Sequence, residues 1–111
     1  MRRLALYAAA GAVLGAVGTG PAGAQGLTAA EYQSLRQVWK LGYVVGLAHG
    51  RRLYRQGDAD PREAAMDACI PGLSDVEIVD AVAAHLAAHP AAAERPAAAV
   101  VLDAIAAHCM R

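Results

Sequence analysis

Apolar residues along this chain recur at intervals of three and four, the period of a helix face, and runs alternating by two are absent. The first helix start is Leu27-Thr28-Ala29-Ala30-Glu31-Tyr32. Thr28 is placed as the cap, Glu31 as its reciprocal partner three residues on, and Leu27 and Tyr32 as a hydrophobic staple around that capping box. Tyr32, Leu35, Trp39, Gly42, Tyr43, Gly46, Leu47, Gly50 and Tyr54 continue the spacing, which predicts one long helix ending near Gln56-Gly57. A turn follows over Asp58 to Asp60. Asp60-Pro61-Arg62-Glu63 then supplies a cap, a proline at the first helical position and a carboxylate at the third, predicting a short second helix up to about Cys69.

Pro71-Gly72 breaks the pattern, and Leu73-Ser74-Asp75-Val76-Glu77-Ile78 repeats the start signal with Ser74 as cap, Glu77 as partner and Leu73 and Ile78 as staple. The third helix should reach His89, before Pro90, with Val79, Val82 and Leu86 as its buried stripe. After a loop from Ala91 to Arg95, Pro96 opens a last helix whose Ala98, Val101, Leu102, Ile105 and Cys109 share a face. The expectation is an all-α fold, a small helical bundle of about four helices.

Gly42, Gly46 and Gly50 stand four apart inside the first helix, where each costs about 1 kcal/mol relative to alanine. A row without side chains lets another helix or an aromatic ring approach closely. A transmembrane dimer motif is excluded, because Lys40 and Arg51-Arg52 bracket only about ten residues where a span needs about twenty. The row, with Tyr43 beside it, therefore reads as a helix-packing seam within or between soluble subunits. Trp39, Tyr43 and Tyr54 read as core or interface rings. Arg51, Arg52 and Arg55 close the helix, where its dipole favours positive charge; contact with an acidic partner is the alternative.

The first 24 residues carry a different pattern. Met1-Arg2-Arg3 is a basic start, Leu4 to Val17 an apolar stretch, and Ala22-Gly23-Ala24 a small-x-small cleavage site, the plan of a secretory signal peptide over residues 1–24. Cleavage there leaves residues 25–111 as one domain in an exporting, periplasmic setting. It carries eight basic against ten acidic side chains, which disfavours nucleic acid and, after signal removal, an anionic membrane as partners. The two cysteines, Cys69 and Cys109, are then most simply a disulfide, with two free thiols as the alternative. The bridge would close a loop of 41 residues, worth about 4 kcal/mol in the chain-entropy model. A chain without phenylalanine has only a thin apolar core to add to it.

Candidate chemistry is sparse. His85 and His89 share a helix face and could support a zinc site, but the run His85-Leu86-Ala87-Ala88-His89 lacks the glutamate of a metalloprotease helix, and a surface pair is the simpler reading. Thr28 and Ser74 are used as caps, Ser34 has no histidine near it in sequence, and no glycine-rich phosphate loop occurs. Asp58 and Asp60 sit beside a turn. Neither an enzyme nor a cofactor is expected.

Cys69-Ile70-Pro71-Gly72-Leu73-Ser74, then Val79 and Val82, Leu86 with His89-Pro90, Pro96-Ala97, Val101, Leu102 and Cys109 form an ordered set. With the upstream Gly42-Tyr43-Val44-Val45-Gly46, it resembles the Rap/Tai family of type VI secretion immunity proteins, of the Rap1a-like domain type, from about residue 39 onward. The resemblance implies a small, disulfide-linked helical protein of the periplasm that binds and blocks a peptidoglycan-cleaving amidase, often as a homodimer. The matched positions are structural, so contact residues do not carry over. The charged turn from Arg55 to Asp60, with Arg55, Asp58 and Asp60, is the candidate contact element. The alternative function is a periplasmic stress or chaperone-like helical protein with no effector partner.

Overall fold

The computed structural model describes residues 26–111, so the expected signal segment lies outside the described residues. The helices are α1 (Ala29–Gln33), α2 (Gln37–Gly50), α3 (Pro61–Cys69), α4 (Asp75–Ala88) and α5 (Ala97–Cys109), with 3-10 turns at Arg51–Leu53, Ile70–Gly72 and Pro90–Glu94. Among the described residues extended pairing is limited to an isolated antiparallel bridge between Thr28 and Pro96. Its hydrogen bonds, Ala29 N–H to Arg95 O at 2.9 Å and Ala97 N–H to Leu27 O at 2.7 Å, lay the start of α1 beside the start of α5.

Both capping boxes form. Thr28 Oγ1 accepts from Glu31 N–H while Glu31 Oε1 accepts from Thr28 N–H, and Ser74 and Glu77 repeat the exchange at α4. Asp60 caps α3 by accepting from Glu63 N–H at 2.8 Å, with Pro61 at the first helical position. The helix expected to run unbroken from Thr28 is instead two. Ser34 ends α1 with its amide turned back to Ala30 and Glu31, and Arg36 takes an extended conformation (ψ 153°) before α2 begins. No glycine or proline marks this break; it goes with tertiary packing, since Tyr32 on the short first helix and Leu35 in the break itself both lie against the core. At the far end, regular helix stops at Gly50 and the 3-10 turn at Leu53, after which Gly57 supplies a positive φ of 79°.

α5 lies at the centre and packs against α1, α2, α3 and α4, while α4 also runs along α2. Ala97, Ala104 and Ala106 on α5 are buried beside Val100, Val101 and Ile105, so small side chains let the surrounding helices approach closely. Val79, Val82 and Leu86 form the buried stripe of α4 as expected, joined by Ile78. Apart from Tyr32, the largest fully buried side chains are Met66, Ile78 and Ile105, and each contributes about 1.5–3 kcal/mol. The Cys69–Cys109 disulfide ties the last residue of α3 to the last of α5, with Cα atoms 5.6 Å apart.

Candidate functional site

The glycine row occupies the face of α2 opposite its buried residues Val44 and Ala48. A Cβ built on Gly42, Gly46 or Gly50 meets nothing within 4 Å, so among the described residues the row is not a seam inside the bundle. It is an open trough. Trp39, 66% exposed, stands at its N-terminal end, with Val38 beside it. Leu53 and Tyr54, 82% and 84% exposed, stand at the other. Trp39 and Tyr54 are therefore not core residues. The core keeps Tyr32 and, partly, Tyr43, whose ring centroids lie 5.6 Å apart. Tyr32 carries a buried hydroxyl without a hydrogen-bond partner, and burial, with repulsion from Tyr43 added, pushes its pKa up to about 12.

The arginines that close α2 turn inward to α3. Arg51, its side chain only 6% exposed, donates to Glu63 and, at 2.7 Å, to Asp67; Arg55 donates to Asp67 at 2.9 Å, and its cation also lies 3.6 Å from Glu63. Arg52 stays outside, 59% exposed and 3.7 Å from Asp67. Three cations thus share two carboxylates. The hydrogen bonds from Arg51 and Arg55 hold the Asp67 carboxyl below its usual range. This clasp was not foreseen from the sequence, although Arg51 and Arg55, like Glu63 and Asp67, stand four apart as matching helix faces do.

Of the charged turn, Arg55 is drawn into the clasp, Asp60 caps α3, and Asp58 is exposed between them. A second clasp links Arg62 and Arg95 through Asp103 at 2.9 and 3.1 Å. Partial burial raises the Asp103 pKa, but the two arginine hydrogen bonds outweigh it and leave it low.

His85 and His89 line a groove of about 400 Å³ between α4 and α5, floored by alanines, with His108 across from them. Their rings stack with centroids 4.3 Å apart, and His89 Nδ1–H donates to the His85 carbonyl at 2.9 Å, finishing the helix end. The carbonyl can only accept, so that proton sits on Nδ1. Desolvation and the neighbouring His89 lower the pKa of His85. Among the described residues no group of three His, Cys, Asp or Glu side chains is placed to hold a metal ion. None of the described helices is long and apolar enough to cross a membrane.

The family model described as Rap1a immunity proteins matches residues 23–109, a span that takes in all five helices and both cysteines. Neither a curated protein nor a solved structure matches the chain.

Proposed function

Because the chain belongs to the Rap1a immunity protein family, we propose that it is a type VI secretion immunity protein that binds and blocks a peptidoglycan-cleaving amidase in the periplasm, without catalysis of its own. The observation that carries this reading is the family match over residues 23–109. The chemistry of the described residues supports a binding role. Among the described residues Thr28, Ser34 and Ser74 spend their hydroxyls on nearby backbone, and both cysteines are joined in the disulfide, so none of these hydroxyls or thiols is set beside a base. An oxidised pair suits an oxidising compartment.

The test is co-expression with type VI amidase effectors, beginning with any that is encoded beside this chain. A stable complex and loss of peptidoglycan hydrolysis at equimolar ratio are expected. An amidase that is neither bound nor slowed would refute the assignment.

A further inference from the structure

We propose that the outward face of α2 and of the turn that follows it, from Trp39 to Tyr54, is the surface that grips the partner, and that the partner presents to it an acidic helix with an apolar face. The assignment rests on the binding role proposed above and adds the contact surface and the chemistry it selects. The apolar residues at both ends of the trough are more than half exposed, and the glycines between them leave room for a second helix to lie close.

Charge decides what kind of helix. The domain is acidic overall, yet from Arg36 to Arg55 it has no carboxylate. The clasp uses Glu63 and Asp67 on Arg51 and Arg55, which leaves Arg52 mostly outside it. Arg36, exposed just before α2, has no carboxylate within 4.0 Å among the described residues, whereas Lys40 is turned to the other side, over the Tyr32 ring. Arg36 and Arg52 thus leave an exposed cation at each end of α2, with no carboxylate in the chain between them. A second copy placed on the same face would set like charges against each other in either direction, whereas carboxylates would answer both ends.

Trp39 is the single tryptophan of the chain, so the surface reports its own occupation. The purified protein is titrated with a tryptophan-free synthetic helix of about twenty residues, leucine on one face and glutamate on the other, and with its lysine counterpart. Trp39 emission should move to shorter wavelength with the glutamate helix alone, and the response should fade in about 1 M salt. Gly46→Leu, which fills the trough where the free chain has space, should weaken that binding by at least about tenfold. No shift, an equal response to both helices, a shift produced by phosphatidylglycerol vesicles instead, or one that grows with protein concentration alone would overturn the proposal.

Binding of the amidase effector used in that co-expression separates the two readings. If it is bound and Gly46→Leu and Arg36→Glu bind it as tightly as the unaltered protein, this surface is wrong and the immunity function stands. If it is not bound while the glutamate helix is, the function is wrong and the surface stands.

Discussion

Replacing Gly42 and Gly46 by alanine should make the free protein more stable. Both lie inside α2, where glycine is worse than alanine by about 0.8–1.0 kcal/mol because it loses more backbone freedom on folding. The new methyl groups meet nothing within 4 Å, so no clash offsets the gain. The pair should add about 2 kcal/mol, which for a domain of this size raises Tm by roughly 8–16 °C. Urea unfolding followed by far-UV circular dichroism, with the disulfide intact, measures it as a higher midpoint at unchanged slope. A midpoint that stays or falls would mean that the glycines serve the fold in some way the open trough conceals. A rise would mean that they are kept for something outside the chain.

Three further outcomes are expected. Tyr32→Phe should stabilise by about 1 kcal/mol, since it removes a buried hydroxyl without a partner and keeps the ring; a loss of stability on urea unfolding would show that the hydroxyl is in fact satisfied. Replacing both cysteines by alanine should cost about 4 kcal/mol, the entropy of a loop closed between residues 40 apart, measured against the oxidised protein. Acid should destabilise the protein in two steps. His85, with its pKa lowered on folding, lets the unfolded chain take up its proton first, so stability falls as pH drops below 6.5, and His85→Gln should remove that step. Asp67 and Asp103, also lowered, contribute in full above the ordinary 3.8 and lose that contribution as pH falls through their depressed values. The second step should shift in Asp103→Asn. Acid loosening without protection of any client protein would set aside the chaperone-like alternative.

The sequence disclosed most of the architecture where local chemistry decides it. The boxes at Thr28–Glu31 and Ser74–Glu77 and the Asp60-Pro61 start each form as read, because caps are satisfied within four residues. The break at Ser34–Arg36 left no local mark, since it depends on which way Tyr32 and Leu35 must turn to reach the core. The facing of α2 stayed open for a related reason. Val38, Trp39, Leu41, Tyr43, Val44, Val45 and Leu47 make it apolar nearly all round, so spacing alone cannot say which side is inside. The Val44–Ala48 side is buried, and the row with glycine and tryptophan is left outside. The arginine clasp was equally hidden: helix-end arginines fit the dipole well enough that nothing in one helix points to carboxylates on the next.

The attachments run in series from sulfur to surface. Cys109 holds Cys69, α3 carries Glu63 and Asp67, and these hold the arginines at the end of the outward helix. A platform bolted down in this way is stiff before anything touches it, so association sacrifices little motion and can be tight over a modest area. The same linkage ties the outward helix to redox surroundings, because a reductant acting at Cys69, two residues beyond Asp67, would slacken the helix that holds the arginines.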